Sequence, residues 1–180
     1  RLAEAMGRSN DEIATLIIGA FLHDVGKIGI PDQILRKPGK LTSEEFEVMK
    51  THVTLGLDIA THTSWISTAV DVIQYHHEKF DGTGYPMGLA GEAIPLNARI
   101  FAVVDVFDAL TSQRPYKEAF SVERSLAILT EGSDQHFDPR IVSVFQVIAL
   151  DAYAEVNYAD DIALRERMRQ TIHRYFRAKR

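Results

Sequence analysis

At 180 residues, with 46% hydrophobic and 25% charged side chains, the chain is one domain's worth of ordinary globular polypeptide, which excludes disorder and fibrous repeats. It has no cysteine and no apolar run near the ~18–20 residues that cross a bilayer, which excludes disulfide scaffolds, thiolate metal sites, cysteine nucleophiles and an integral membrane segment here. The formal charge of −5 argues against a partner such as long nucleic acid, and a reducing, cytoplasmic setting is expected.

In chain order the pattern is helical nearly throughout. Arg1–Gly7 reads like the last turns of a helix, and with no Met or signal peptide ahead of it the chain is expected to be a piece of a longer protein. Ile13, Leu16, Ile17, Ala20 and Phe21 fall on one helical face, capped by Ser9 or Asn10. Residues 26–39 hold Gly26, Gly29, Pro31, Pro38 and Gly39 and read as an ordered loop with one short turn. Thr42 and Glu45 have capping-box spacing and open one long helix carrying Phe46, Met49, Val53 and Ala60. The next helix is expected from Ile66 to His77. Residues 81–91 contain four glycines and a proline and form a loop.

From Ala98 to Leu110 the chain is apolar almost all round, the mark of a central buried helix. Further helices are expected over Val122–Thr130, over Pro139–Tyr153 and from Asp160, the last with a stripe of Leu164, Met168, Ile172 and Tyr175. From residue 163 onward there are seven basic residues against Glu166 alone, so this stretch carries +6 and the rest −11. Such a tail could touch RNA or an anionic membrane, but more simply forms a solvated helix face. The expected fold is all-α, a compact multi-helix bundle with a Gly/Pro-rich loop.

Some polar residues continue the buried stripes, where an unpartnered imidazole or carboxylate costs several kcal/mol and so needs a reason. His23 and Asp24 end the first full helix. His52 lies at the edge of its helix's apolar face, His76 and His77 extend the stripe begun by Ile73, and Asp105 sits within the most apolar helix. Imidazole and carboxylate are what a divalent metal takes where no thiolate exists. A His-Asp step, a downstream His pair and a later Asp point to a two-metal hydrolytic centre. Lys27, three residues past Asp24, could stabilise charge on a phosphoryl oxygen or protonate a leaving group. Arg114 and Lys117 offer further cations suited to guanine or phosphate. His62, His136 and His173 read as surface or locally hydrogen-bonded residues.

His23-Asp24-Val25-Gly26-Lys27 and His76-His77-Glu78, with Asp81-Gly82-Thr83-Gly84-Tyr85-Pro86 after them, resemble an HD-GYP domain, and the likeness extends from about residue 2 to 146. The resemblance implies a catalytic domain over 1–150; residues 151–180 fall outside it and are expected to form a basic helical extension. It implies a bacterial metal-dependent phosphodiesterase that cleaves cyclic di-GMP to pGpG and GMP by a metal-bridged hydroxide; some relatives prefer cyclic GMP–AMP. The matched metal ligands are His23, Asp24, His52, His76, His77 and Asp105, with Asp24 bridging two of two or three divalent ions, Fe or Mn. Lys27 matches the lysine at the scissile phosphate, and Arg114 and Lys117 match positions near base and phosphates. Gly82, Gly84, Tyr85 and Pro86 match the signature loop, a docking surface for a protein partner, and an upstream sensory or receiver domain is expected. Glu78 and Asp81 would either orient the histidines or cap the loop. The family also carries a further His ligand on the helix before the His-Asp step, which would lie upstream of Arg1. The rival readings are a low-activity binding or docking module and an HD nucleotidase acting on another nucleotide.

Overall fold

The computed structural model describes residues 1–113 and 118–176. The fold is all-α: α1 (Leu2–Ala5), α2 (Asn10–Leu22), α3 (Asp32–Leu35), α4 (Ser43–Lys50), α5 (His52–Thr61), α6 (Val70–Tyr75), α7 (Leu96–Thr111), α8 (Val122–Glu131), α9 (Pro139–Asn157) and α10 (Asp161–Phe176). Short 3-10 turns occupy Val25–Gly29, Ser67–Ala69 and Gly91–Ala93. Among the described residues, β structure is limited to the isolated bridges Asp81–Ala90 and Ser133–Phe137. No helix among them is long and apolar enough to cross a membrane. The chain divides into two units, one of residues 15–102 and one of residues 1–14 with 103 onward.

In the first of these, Ala60, Ile66, Ala69 and Ile73 form a buried core, with Ile18, Leu22 and Val70 packed against it. Phe21, expected on the buried face of α2, is instead 75% exposed. Apolar residues occur on several sides of this helix, so periodicity alone does not fix its orientation, and Ile18 and Leu22 are the pair that turns inward. The Val25–Gly29 turn runs along α5 because Gly26 has no side chain. A Cβ there would lie 1.9 Å from the His52 carbonyl oxygen and 2.4 Å from the Gly56 nitrogen.

The long helix expected after Thr42 is two helices. The capping box is present, with the Glu45 N–H donating to Thr42 Oγ1 and the Thr42 N–H donating to the Glu45 carboxylate at 2.7 Å. The break at Thr51 has a local cause. Thr51 Oγ1 donates to the Val48 carbonyl at 2.7 Å and His52 Nδ1 to the Met49 carbonyl at 2.7 Å, so side chains take carbonyls that a continuous helix would use itself. The expected helix over Ile66–His77 likewise shortens: it starts as a 3-10 turn, and α6 stops at Tyr75, with His76 Nδ1 beside the Val72 and Ile73 carbonyls at 3.0 and 3.1 Å.

In the other unit Phe107 meets Phe145 edge to face at 4.9 Å, and Leu129, Ile141 and Ala149 are fully buried. Ser121 caps α8 by accepting from the Arg124 N–H, and buried Asp138 caps α9 by accepting from the Arg140 N–H. α7 is buried all round over residues 100–103, as expected of a central helix, whereas Val104 and Asp108 further along are exposed. α10 buries no residue, and Met168 and Ile172 of its expected stripe are exposed. Two of its arginines reach acidic side chains on other helices of the same unit. Arg174 and the Tyr175 hydroxyl both bind Glu4 of α1, at 2.7 and 2.6 Å, and Arg167 shares Glu155 of α9 with Arg1.

Candidate metal centre

Three histidines are aimed by one local device. His23 Nδ1 lies 2.8 Å from the Ala20 carbonyl, His52 Nδ1 2.7 Å from that of Met49, and His76 Nδ1 about as close to those of Val72 and Ile73. A carbonyl oxygen can only accept, so in each ring Nδ1 carries the proton and, in the neutral imidazole, Nε2 keeps a lone pair. His62 makes the same bond to the Asp58 carbonyl on the surface, so the device alone is not a site. Convergence is what sets the other rings apart.

His52 Nε2 lies 3.5 Å from His76 Nε2, and the two lie 3.5 and 3.9 Å from Asp24 Oδ1. Three acceptors therefore face one another with no proton between them. Asp24 Oδ1 is buried and has no hydrogen-bond partner, an expensive arrangement unless a cation completes it. One ligand atom from each of Asp24, His52, His76 and His77 falls within 4.8 Å of the others, the donor set of a hard or borderline divalent ion. The other oxygen, Oδ2, faces a different pair: Lys27 Nζ at 2.6 Å and His23 Nε2 at 3.2 Å.

The electrostatics follow from this geometry. Burial pushes the Asp24 carboxyl up, but hydrogen bonds and charge from His23 and Lys27 outweigh it and hold the group well below the usual carboxylate range. Burial, reinforced by His23, lowers His76 to about 4; burial, reinforced by His76 and His52, lowers His77 to about 3. Burial lowers His52 too. His52, His76 and His77 are thus neutral at pH 7, the state a metal needs.

A stability prediction comes with these shifts. In the unfolded chain His76 and His77 take up protons near pH 6.5, whereas in the fold they resist until about 4 and about 3. Their contribution is complete above about pH 6.5 and is lost as pH falls toward the folded values, since the unfolded state binds more protons there. Metal-stripped protein is expected to lose ~2–4 kcal/mol between pH 7 and pH 5. Urea midpoints in chelator at the two pH values measure this, and equal midpoints would contradict it.

The signature loop is fastened to the same segment. Glu78, only 2% exposed, accepts from the Met87 N–H at 2.7 Å and the Leu89 N–H at 3.0 Å, so it holds the loop rather than orienting a histidine. Asp81 accepts from the Thr83 N–H and hydroxyl at 2.8 and 2.7 Å, another loop contact. Gly84 lies flat against the chain: a Cβ there would meet Lys79 N at 2.3 Å and Glu78 Cα at 2.5 Å. Gly82 has a positive φ of 82°, and the Tyr85–Pro86 peptide is cis. The Tyr85 ring stacks on His77 with centroids 4.6 Å apart, and burial and the Asp24 charge raise its phenol pKa, so the hydroxyl stays protonated.

Asp24, His52, His76 and His77 are therefore brought together as expected, with His23 and Lys27 on the second Asp24 oxygen. Asp105 lies on α7, in the other unit. Arg114 and Lys117 lie outside the described residues. His62 and His173 are exposed, and His136 stacks on Phe137 at 4.3 Å. Sequence reasoning missed Phe101, whose ring lies 4.8 Å from that of His23, and the pair Phe46 and Lys50 beside Tyr85. The only signal for the latter was an aromatic and a cation at i, i+4 on α4.

A family model described as HD domain matches residues 1–141. A cyclic di-GMP phosphodiesterase of Vibrio cholerae is 52% identical over 143 residues, covering 76% of this chain and 29% of that protein. The cyclic di-GMP phosphodiesterase response regulator RpfG of Xanthomonas campestris is 50% identical over 143 residues, covering 78% and 38%. A crystal structure of a cyclic GMP-AMP specific phosphodiesterase of V. cholerae shares the fold, with a TM-score of 0.66 at 23% identity over 91% of this chain and 45% of that one. The chain spans about a third of the length of the curated relatives it matches. Because the match runs through every side chain of the Asp24 cluster and through the loop fastened beside it, the chain belongs to the HD domain family, on its HD-GYP branch.

Proposed function

We propose that the chain is the catalytic part of a metal-dependent phosphodiesterase that hydrolyses cyclic di-GMP to pGpG and on to GMP. The observation that carries this reading is the buried, partnerless Asp24 Oδ1 among imidazole lone pairs. His52, His76, His77 and Asp24 would hold one divalent ion, and His23 together with Asp24 would help hold a second, Fe or Mn in both places. Bound there, such ions would supply Lewis acidity, activating water and drawing charge from the phosphoryl oxygens.

The chain's own side chains do the rest. The backbone carbonyls of Ala20, Met49, Val72 and Ile73 fix which nitrogen of each ring is free to ligate. Lys27 Nζ is held beside Asp24, a position from which it could pair with a scissile phosphate and offset charge that builds up in the transition state. Glu78 and Gly84 keep Tyr85 against His77 and so restrict that ring's rotation. A protein partner at the loop would meet Pro86 and Met87, which are exposed, rather than the Tyr85 ring face that lies on His77.

The test is a substrate panel with Mn(II)- or Fe(II)-loaded protein: cyclic di-GMP, cyclic GMP–AMP, GMP and a guanosine polyphosphate, followed by chromatography. Cyclic di-GMP is expected to give pGpG and then GMP, with chelator stopping the reaction and added metal restoring it. Turnover confined to mononucleotides or polyphosphates would overturn the reading in favour of a nucleotidase. Binding without turnover would make the chain a docking module.

A further inference from the structure

Beside the cluster, Tyr85 also meets an aromatic side chain of α4. The Phe46 ring stands edge to face on Tyr85, with centroids 6.2 Å apart and planes at 84°. Lys50, one turn further along α4, places its ammonium 5.7 Å from both ring centroids. Phe46 is 46% exposed, although burying an aromatic ring of this size would be favourable. Two ring steps, of 4.6 and 6.2 Å, thus lead from a candidate metal ligand to the half-exposed Phe46 ring, with the Lys50 ammonium lying over both Phe46 and Tyr85.

We propose that Phe46, Lys50 and Tyr85 form a platform for the guanine base of the substrate; this rests on the cyclic dinucleotide reading above. Base-on-aromatic stacking accepts any nucleobase, since every base has a π face. Lys50 supplies the selection. An ammonium only donates, and the Hoogsteen edge of guanine offers two acceptors, O6 and N7, where adenine presents one acceptor and an amino donor. The ammonium is free to turn to a base because its partner, Glu47 at 2.7 Å, is mostly exposed, and exposed pairs contribute little. Phe46 therefore takes the base by its face, Tyr85, standing at 84° to it, walls the base's edge, and Lys50, turned off the rings, reads that edge.

The experiment uses Phe46→Ala, Phe46→Tyr and Lys50→Met in the full chain, with GMP and AMP as binding probes and cyclic di-GMP as substrate. Phe46→Ala is expected to weaken GMP binding and raise KM for cyclic di-GMP about tenfold, with the loss in KM rather than kcat and metal content intact. Phe46→Tyr is expected to restore both. Lys50→Met is expected to bring a preference for GMP over AMP of about tenfold close to one. Wild-type KM and wild-type GMP binding in Phe46→Ala and Lys50→Met, in a chain that cleaves cyclic di-GMP, would overturn the platform and leave the phosphodiesterase reading standing. Phe46-dependent GMP binding without cleavage of any cyclic dinucleotide would overturn the reading and leave the platform standing. No GMP binding by the wild-type chain would overturn the platform.

Discussion

Asp24→Asn is expected to strip the protein of divalent metal and to lower phosphodiesterase turnover by at least ~10³-fold, the scale of several kcal/mol of Lewis-acid stabilisation. Both of its oxygens are engaged with the centre, Oδ1 toward His52 and His76 and Oδ2 toward His23 and Lys27. The substitution removes the one negative charge among four imidazoles and so the strongest attraction a cation meets there. It should not unfold the protein. An amide N–H placed at Oδ1 would donate to an Nε2 lone pair, turning three crowded acceptors into a hydrogen bond. The metal-free variant is expected to fold but to melt somewhat below metal-free wild type, because the pairing with His23 and Lys27 that outweighs the burial cost of the Asp24 carboxylate is lost. Elemental analysis of protein purified without chelator, thermal melting in chelator and initial rates together check this. Wild-type metal content in Asp24→Asn would sink the assignment.

Lys27→Ala should separate the two halves of the site. Its ammonium, 2.6 Å from Asp24 Oδ2, is a cation already competing for an oxygen that a metal would use. Removing it takes away a like charge, so metal should be held at least as tightly as in wild type. Turnover should fall by ~10²–10³-fold, the loss typical of one preorganised donor to transition-state charge. Metal titration and single-turnover rates on the same preparation read both effects. If the variant loses metal in step with activity, Lys27 serves to hold the centre; if it turns over at the wild-type rate, Lys27 has no part in the chemistry.

The two positions differ in how far the sequence foretold them. The His23-Asp24 step, the His76-His77 pair and the loop glycines could be read directly, because buried stripes that end in polar residues, and glycines in dense clusters, are local signals. The capping box at Thr42 and Glu45 was equally local and is present as expected. What misled was uniformity. With apolar residues on several sides of α2, nothing local said that Phe21 would face water while Ile18 and Leu22 turned inward. The break between α4 and α5 was hidden for another reason: Thr51 and His52 have ordinary helical spacing, and only the capture of two carbonyls by their side chains ends one helix and starts the next.

By itself the sequence determined the all-α class, the residue types able to hold a metal and the place of the loop, since each depends on composition and spacing within a few turns. Only the tertiary structure decided which oxygen of Asp24 meets which histidine, that Glu78 fastens the loop instead of orienting a ring, and that Phe46 and Lys50 stand beside Tyr85. Apart from the neighbours His23 and Asp24, those pairings join residues nine to fifty-two positions apart. They depend on Gly26 and Gly84 letting backbones approach within reach of each other, a contact that no periodicity along one helix encodes.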